Sequence, residues 1–400
     1  MINVIGLGYI GLPTALMLQV GGNHVVGTDI KQAVVEALNQ GVITFEEKGL
    51  EDLYNQALEK GIAFSTQYQR AEMYIVAVPT PYIGESKRIN PDYVIDAVKQ
   101  IVEVCPKGAV IVIESTVSPN TIDKFIRPLI VDKEVFVAHA PERIIPGNMI
   151  YELEHNSRIV GADSKEIAEQ IQKVYATFCK GEIVLTDVRT AELSKVAENT
   201  FRDINIAYAN ELALICDASG LDVYEVLRIA NKHPRVNILQ PGPGVGGHCI
   251  SVDPWFLVGD FPEFSHVIKA ARKVNDKMPE FVLEKMSRIM EERNITDLRR
   301  VGLYGLTYKE NVDDTRESPT LQLLDCMKKH LAYGINVYDP YVKDDMVDNQ
   351  YHSLEDFLTA VDMVVIMVAH DEIVKNQELL KGKVVFDTKN KITAESVYKL

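Results

Sequence analysis

The chain has 400 residues, 46 % of them hydrophobic, and a formal net charge of −15, which suits two or three globular domains. The acidic balance disfavours nonspecific binding to nucleic acid or to an anionic membrane, and no apolar run is long enough for a membrane span. Five scattered cysteines without a CxxC pair argue against a disulfide framework or a metal site. Together with a first segment that reads as a strand rather than a leader, they predict a cytoplasmic protein.

The first thirty residues predict a dinucleotide-binding turn. A short apolar strand, Ile2–Ile5, runs into Gly6-x-Gly8-x-x-Gly11, a helical pattern follows, and a second apolar strand ends at Asp29. Gly6 permits a tight turn, Gly8 lets the backbone approach a pyrophosphate, and Gly11 lets helix and strand pack closely. The helix N-terminus would attract the phosphates, and Asp29 would accept hydrogen bonds from a ribose diol, which favours NAD over its 2′-phosphorylated form.

Apolar runs alternate with helical patterns up to about residue 185 and predict a doubly wound parallel sheet. These runs are Ile2–Ile5, Val25–Thr28, Tyr74–Val78, Val110–Glu114, Val135–His139 and Ile183–Leu185. A helix from Thr190 to about Ser219 would exceed the usual length and is typical of helices that bridge domains or pair across a dimer. A second strand–helix alternation starts at Val301 and includes a helix over about Ser318–Leu331, but it lacks the full glycine motif. We therefore expect two Rossmann-like parallel-sheet domains, residues 1–185 and 294–400, joined by a helical region at 186–293.

A stretch of glycine and proline, Pro241–Gly247, leads to Cys249, and Asp253 follows four residues later. The adjacent glycines Gly246 and Gly247 leave room for a ligand beside the sulfur, and their N–H groups could face an oxyanion formed there. The alternative is a turn that precedes a buried structural cysteine.

These motifs resemble the UDP-glucose/GDP-mannose dehydrogenase family of nucleotide-sugar 6-dehydrogenases, and the resemblance runs from end to end. It rests on Gly6-Leu-Gly-Tyr-Ile-Gly11, Val78-Pro-Thr-Pro81, Glu114-Ser-Thr116, Pro141-Glu-Arg143, Lys195…Asn199, Gly244…Cys249…Asp253 and Asp313-Asp-Thr-Arg-Glu-Ser-Pro319. The family implies an NAD-binding domain, a central dimerising helix and a C-terminal UDP-binding domain. Within the family, the residues in these motifs favour a UDP-N-acetylhexosamine as the substrate. The manno epimer is favoured before the gluco epimer, and UDP-glucose is a more distant match. Ala140 and Thr307-Tyr308 depart from the usual spelling of that branch and leave the sugar open.

The family reaction oxidises the C6 alcohol of the sugar to a carboxylate with two NAD and does not release the aldehyde. By resemblance, Cys249 is the nucleophile, because a thiohemiacetal can lose a second hydride and become a thioester that water hydrolyses. Lys195 would take the alcohol proton as an amine and stabilise the oxyanion as a cation. Asn199 and Arg202 lie at i+4 and i+7 from Lys195 and would contact the substrate from the same helix face. Without the resemblance, Lys195, Asn199 and Arg202 would be interpreted as an ordinary solvent-exposed face of the helix.

The resemblance also assigns two acids. Asp253 would position a water or hold Lys195, and Glu142 would be the base for thioester hydrolysis, with Thr116 helping to hold that water. An ordinary surface acid in a loop and a capping acid at a strand end are the alternatives for Asp253 and Glu142.

The remaining contacts are implied by the resemblance alone. The expected substrate-binding residues are Arg143, Ile144, Lys195, Asn199, Arg202, Gly246, Tyr308, Lys309 and Lys389, with His233 and Arg235 reaching the substrate of a neighbouring subunit. Around NAD we expect Gly6, Gly8, Tyr9, Ile10, Gly11, Asp29, Thr80 and Thr116, with Arg316 on the phosphates. Arginine suits phosphate because its planar fork forms paired hydrogen bonds.

Two other classes of protein share parts of this pattern. A two-electron dehydrogenase of the β-hydroxyacid type has the N-terminal fingerprint and a helical middle, but it needs neither Cys249 nor a second sheet. A non-catalytic NAD-binding sensor would not need to retain Lys195, Cys249 and Asp253 together. We expect a UDP-sugar as partner, a homodimer or larger homo-oligomer, no nucleic acid and no membrane, and a product that feeds surface polysaccharide synthesis.

Overall fold

The structure, a computed structural model, describes residues 1–144, 147–247, 249–330, 332–393 and 397–400. The chain forms two compact units. The first comprises Met1–Glu198 and Trp255–Pro262, and the second comprises Asn199–Pro254 and Glu263–Leu400.

The first unit is built on an eight-stranded sheet of order β3-β2-β1-β4-β5-β6-β7-β8. Its strands are β1 (Ile2–Ile5), β2 (Val25–Thr28), β3 (Ala63–Ser65), β4 (Met73–Val76), β5 (Val110–Ile113), β6 (Phe136–His139), β7 (Arg158–Ala162) and β8 (Ile183–Thr186). The helices between them are α1 (Gly11–Val20), α2 (Gln32–Asn39), α3 (Leu50–Glu59), α4 (Asp92–Val104), α5 (Arg127–Ile130), α6 (Met149–His155) and α7 (Lys165–Tyr175), with a π-helical turn at Ile122–Ile126. The central strands are buried on both faces, as their continuous apolar sequences require.

The predicted doubly wound parallel sheet is confirmed, with one antiparallel pair between β6 and β7. Two of its strands were not predicted from the sequence. Ala63–Ser65 is a three-residue edge strand, and Arg158–Ala162 opens on a charged residue that interrupts its apolar pattern.

The long helix α8 spans Val188–Ser219. It begins after Asp187, whose carboxylate accepts from the backbone N–H of Thr190 at 2.9 Å, and it ends before Gly220, which has a φ of +68°. The helices α9 (Val223–Ala230), α10 (Asp253–Asp260) and α11 (His266–Glu292) follow. The predicted long central helix is confirmed.

Helix α10 packs on a loop of the first unit. The Lys87 ammonium lies 4.6 Å from the ring centroid of Tyr82 and 4.4 Å from that of Trp255. Arg88 donates to the Gly259 carbonyl at 3.3 Å, and a Cβ at Gly259 would lie 2.5 Å from the Lys87 carbonyl carbon. This close backbone approach needs a glycine in α10.

The second unit contains a parallel six-stranded sheet of order β11-β10-β9-β12-β13-β14. Its elements are β9 (Val301–Tyr304), α12 (Pro319–Lys329), β10 (Asn336–Tyr338), β11 (Gln350–Tyr351), α13 (Leu354–Ala360), β12 (Met363–Ile366), α14 (Asp371–Lys375), β13 (Val384–Asp387) and β14 (Val397–Lys399). The short edge strands β11 and β14 were not predicted, and Leu331, the predicted end of α12, lies outside the described residues. The division into three domains at residues 185 and 293 stays a prediction.

Glu192, near the start of α8, is fully buried and accepts from the backbone N–H groups of Asn120 at 2.7 Å and Ile122 at 2.9 Å. Burial raises the pKa of Glu192 to about 7 from an ordinary 4.5. Because the folded protein then holds the Glu192 proton more tightly than the unfolded chain, this group lowers stability as the pH rises through that range.

We expect the wild type to lose up to about 3 kcal/mol of unfolding free energy relative to Glu192→Gln between pH 5 and pH 8. Denaturant unfolding of both proteins at each pH measures this difference. Parallel pH profiles would show that the buried carboxyl does not titrate in this range.

Candidate active site

The turn after β1 combines two tight glycines with one open glycine. Gly6 has a φ of +88°, and a Cβ there would lie 2.5 Å from the Ala77 carbonyl oxygen. A Cβ at Gly11 would overlap the carbonyl oxygen of Gly6. Gly8, in contrast, is exposed and has no atom within 4 Å of its Cβ position. The turn is therefore closed on the protein side and open where a phosphate would approach.

Asp29 follows β2 at the same edge of the sheet. Its carboxylate oxygens accept from the backbone N–H groups of Leu7 and Lys31, each at 2.8 Å. Each oxygen keeps a further lone pair, so the fixed carboxylate can still accept from ribose hydroxyls. Tyr9 and Ile10 are half-buried beside the glycine turn, and the Tyr9 ring centroid lies 4.4 Å from that of Phe45.

Thr80 and Thr116 lie in the loops after β4 and β5. The Thr80 hydroxyl donates to the Thr116 carbonyl at 2.7 Å, and the Ser115 hydroxyl accepts from the Val78 N–H at 2.8 Å. These bonds tie together loops at the carboxyl ends of neighbouring parallel strands, where such sheets bind ligands.

Glu142 follows β6 and is buried. Its Oε2 pairs with Arg158, which is also buried and lies 3.2 Å from Glu114, while its Oε1 accepts from the Arg143 N–H at 2.6 Å. Burial raises the pKa of Glu114 to about 7. Both oxygens of Glu142 are thus engaged in the structure, so it is held firmly, and any role as a base requires one contact to be released.

The Arg143 side chain is held by the protein itself. Its guanidinium pairs with both carboxylate oxygens of Glu198 and donates to the Ser157 carbonyl at 2.9 Å and to its hydroxyl at 2.8 Å. Ile144 is buried in the core of the first unit. Arg143 therefore keeps one N–H for a ligand, since a guanidinium carries five.

Lys195, on α8, is only 6 % exposed. Its ammonium has no hydrogen-bond partner among the described residues of the first unit. Nearby His139 is fully buried, and its ring Nδ1 lies 2.8 Å from the Ile113 carbonyl. Burial lowers the pKa of His139 to about 4, and the charge of Lys195 adds to this effect. The first unit thus holds one buried amine next to a neutral imidazole.

Asn199, one helical turn after Lys195, donates to the Asp253 carboxylate at 2.6 Å, and both side chains are buried. The backbone N–H of Asp253 donates to the Cys249 carbonyl at 2.9 Å, so the cysteine turn leads directly into α10. Cys249 is the exposed one of the five cysteines. This exposure fits a reactive thiol better than a buried structural cysteine.

The glycines before Cys249 pack against the C-terminal sheet domain. A Cβ at Gly246 would lie 2.5 Å from the Glu317 carbonyl, and a Cβ at Gly247, whose φ is +84°, would lie 2.8 Å from the Tyr308 ring. The Gly247 N–H donates to the Arg316 carbonyl at 2.9 Å. The expectation that this N–H faces an oxyanion is therefore wrong, because the backbone of residue 316 already uses it, and protein atoms fill the space that the glycines open. His248 lies outside the described residues.

Two predicted phosphate ligands have acidic partners. The Arg316 guanidinium pairs with Asp314 at 2.9 and 2.6 Å, and Lys389 lies 3.4 Å from the Glu310 carboxylate. Each cation is thus oriented by an acid.

The other predicted substrate contacts are more exposed. Arg202 is exposed on α8, and His233 and Arg235 are exposed on the loop after α9. Tyr308 and Lys309 are half-buried after β9. The structure thus joins Gly246, Gly247, Tyr308 and Arg316, and separately Asn199, Asp253 and Cys249, while Arg202 and the loop after α9 face solvent.

Known proteins match this chain along nearly its whole length. Three family models match, described as the NAD binding, central and UDP binding domains of the UDP-glucose/GDP-mannose dehydrogenase family, over residues 1–179, 189–277 and 302–394. The chain belongs to the UDP-glucose/GDP-mannose dehydrogenase family. A UDP-N-acetyl-D-mannosamine dehydrogenase from Methanococcus vannielii is 44 % identical over 97 % of this chain and 92 % of the relative.

One further relative has a different substrate in its name, and one solved structure has the same one. An NDP-N-acetyl-D-galactosaminuronic acid dehydrogenase from Ralstonia solanacearum is 38 % identical over 98 % of this chain and 96 % of the relative. The solved UDP-N-acetylmannosamine dehydrogenase from Pyrococcus horikoshii has a TM-score of 0.91 and 36 % identity, and the match covers 100 % of this chain and 99 % of that one.

This family member is an NAD-dependent oxidoreductase with a UDP-binding domain, so the two-electron β-hydroxyacid type and the sensor are set aside. Its own residues fit the dinucleotide, because Gly8 is open and the Asp29 carboxylate is fixed with lone pairs to spare. None of the helices in the described part of the chain has the length and apolar character to cross a membrane.

Two buried charged groups were missed by the sequence analysis. Arg158 binds Glu114 and Glu142, and Arg272 of α11 donates to Asp203 of α8 at 2.6 Å. The sequence offered two signals. Arg158 is a charged residue at the start of an apolar strand, and Asp203 is an acid one helical turn after Asn199. Neither reveals its partner, which lies far away in sequence.

Replacing Gly8 and Gly11 by alanine separates ligand approach from folding. Gly8→Ala adds a methyl group into open space, so we expect an unchanged Tm and at least about tenfold weaker NAD binding, because the methyl group occupies the path of the pyrophosphate. Gly11→Ala collides with the Gly6 carbonyl, so we expect a lower Tm. Thermal unfolding and NAD titration of both variants measure these effects, and a Gly8→Ala protein with wild-type NAD affinity would contradict the proposed phosphate position.

Proposed function

We propose that this protein oxidises C6 of a UDP-N-acetylhexosamine, in the first place UDP-N-acetylmannosamine, to the uronic acid. The names of the relatives support this substrate class. The observation that carries the chemistry is the exposed Cys249, whose carbonyl accepts the Asp253 N–H, while the Asp253 side chain is held by Asn199.

In the first oxidation, Lys195 takes the proton of the C6 hydroxyl as a hydride leaves C6. When bound, NAD would supply the hydride acceptor for each of the two oxidations. The Cys249 thiolate then adds to the aldehyde carbon, and the resulting alkoxide is stabilised by the Lys195 cation. Loss of the second hydride leaves a thioester, and water releases the carboxylate and restores the thiolate. Asp253 orients this water. Glu142 accepts a proton from the water after the Glu142 carboxylate has released either Arg158 or the Arg143 N–H.

Substrate contacts complete the proposal. Arg143, Tyr308, Lys309 and Lys389 bind the pyrophosphate, while Asn199 and Gly246 contact the sugar. Ile144 and the exposed Arg202 also contact the substrate, and the exposed His233 and Arg235 reach the substrate of the neighbouring subunit. Arg316 binds the NAD phosphates.

Two NADH per UDP-sugar consumed is the expected stoichiometry, since oxidation of an alcohol to an acid removes four electrons. Cys249→Ser should lower turnover by at least about 10³-fold, because a serine hydroxyl stays protonated at neutral pH and is a poorer nucleophile than a thiolate, and an alkoxide is a poorer leaving group. Cys326→Ser, at a half-buried cysteine away from the proposed chemistry, is the matched control and should keep wild-type turnover. NADH absorbance and product analysis follow both.

The substrate is tested with UDP-N-acetylmannosamine, UDP-N-acetylglucosamine, UDP-N-acetylgalactosamine and UDP-glucose in parallel. The highest kcat/KM is expected for the manno sugar. Equal values for all four would defeat this choice, and one NADH per sugar or a fully active Cys249→Ser protein would defeat the thioester route.

The homodimer belongs to the same proposal. Helix α8 exposes Phe201, Tyr208 and Ile215 at spacings of seven residues, with 66, 51 and 54 % of each residue accessible. Apolar residues repeated in this way on one helix form a seam for a second helix.

A cytoplasmic location would keep Cys249 reduced, and the uronic acid would serve polysaccharide synthesis.

A Phe201→Glu, Tyr208→Glu double variant should shift the protein from dimer to monomer in size-exclusion chromatography with light scattering. Charges in an apolar seam are costly because they lose solvation without gaining a partner. Tyr333→Glu, at a tyrosine that is 63 % exposed outside α8, is the control and should leave the mass unchanged. A dimeric double variant would place the interface elsewhere.

A further inference from the structure

In the first unit, backbone N–H groups hold the Asp29 carboxylate beside the glycine turn. The Gly6 N–H donates to the Thr28 carbonyl at 2.8 Å, and the next residue, Leu7, donates its N–H to Asp29. A second N–H, from Lys31, completes the anchoring of the carboxylate. Asp29 remains partly accessible to solvent, as a ribose ligand requires.

The C-terminal sheet repeats this arrangement. Gly305, with a φ of +101°, donates its N–H to the Tyr338 carbonyl at 2.8 Å. The next residue, Leu306, donates to Asp339 at 2.6 Å, and Tyr341 donates to the other oxygen of Asp339 at 2.8 Å. Asp339 thus occupies the same place after β10 that Asp29 occupies after β2.

The two acids differ in what else they bind. Asp339 is only 2 % exposed, and its Oδ2 also accepts from the Thr307 N–H at 3.0 Å and lies 3.1 Å from Nε2 of His370. With four neighbours and no access to solvent, Asp339 cannot accept from a ribose as Asp29 can. Its carboxylate is committed to His370 instead.

His370 follows β12 and is fully buried. Its Nδ1 accepts from the backbone N–H of Asn311 at 2.9 Å, so this nitrogen carries no proton. The proton of the neutral ring therefore lies on Nε2 and is donated to Asp339, a tautomer assigned from the hydrogen-bond network. The imidazole thus bridges the Asp339 carboxylate to the backbone of Asn311.

This bridge closes the segment from Leu306 to Asn311. Asp339 holds its first residues, His370 holds its last one, and inside it the Thr307 hydroxyl donates to the Lys309 carbonyl at 3.0 Å. Asn311 has a φ of +59°, in the left-handed region that asparagine adopts more readily than most residues, and its side chain also exchanges hydrogen bonds with Asp371 at 3.1 and 3.0 Å. The backbone N–H of Asn311 is held by His370.

We propose that His370 is a positioning residue for the UDP-sugar: by bridging Asp339 to the Asn311 N–H, it fixes the segment that presents Tyr308 and Lys309 to the pyrophosphate. The proposal rests on the proposed function, which gives those two residues their role. The same Tyr308 ring packs against Gly247, so its position also supports the stretch before Cys249.

Two substitutions separate the two hydrogen bonds of the ring. Asparagine places an amide oxygen near the position of Nδ1 and can still accept from Asn311, whereas glutamine places an amide nitrogen near Nε2 and can still donate only to Asp339. If the bond to Asn311 positions the segment, His370→Gln should raise the Kd for UDP and the KM for the UDP-sugar about tenfold, and His370→Asn should restore most of this loss. We expect kcat within about twofold of the wild type and an unchanged KM for NAD in both variants. His352→Gln, at an exposed histidine of the same unit, is the control and should change neither constant.

Titration calorimetry with UDP alone gives a measurement that does not depend on turnover. A folded His370→Gln protein that binds UDP as the wild type does would overturn the assignment and leave the proposed function intact. A wild type that does not bind UDP would overturn both. Should neither variant fold, ¹⁵N-histidine NMR of the wild type decides, because a proton on Nδ1 of His370 is incompatible with the bond from Asn311.

Discussion

A stripe of buried polar side chains along α8 is the constraint on which the site depends. Glu192, Asn199, Asp203 and Asn210 all face protein rather than solvent, and each has hydrogen-bond partners. A buried polar group without partners costs several kcal/mol, so these partners fix the rotation of the helix. Lys195 lies on the same stripe and is the member without a hydrogen-bond partner among the described residues of its unit. A helix locked by its neighbours can hold such an amine ready for a ligand oxygen.

The stripe also anchors the chain before Cys249. Asn210 accepts from the Gly242 N–H at 2.9 Å and donates to Asn275 of α11 at 2.8 Å, and Asn275 in turn donates to Asp203 at 2.7 Å. Removing one member of such a network leaves the others unsatisfied, which costs more than the lost bond itself. The position of the cysteine turn is therefore set by contacts along α8 as well as by the glycines that precede the cysteine.

The sequence predicts most of the fold but only part of the site, for a physical reason that α8 illustrates. Helical spacing correctly groups Lys195 and Asn199, yet it also groups Arg202, which is exposed, while the adjacent Asp203 is buried. Periodicity tells which residues share a face, but α8 carries apolar residues around its circumference, including the exposed Phe201, so the pattern does not identify the buried face. The glycine turn was predicted in detail because its requirements are local.

Partners that are distant in sequence account for the rest. The Gly247 N–H faces Arg316, some seventy residues later, and Asp339 is occupied by His370 after a different strand. The two sheets offer nearly the same local signal, an apolar strand, a glycine turn and an acid after the next strand, but one acid is open and the other is filled by an imidazole. The difference between the two acids therefore comes from His370, which follows another strand: without such a side chain Asp29 stays accessible to a ligand, whereas Asp339 is used to hold a loop.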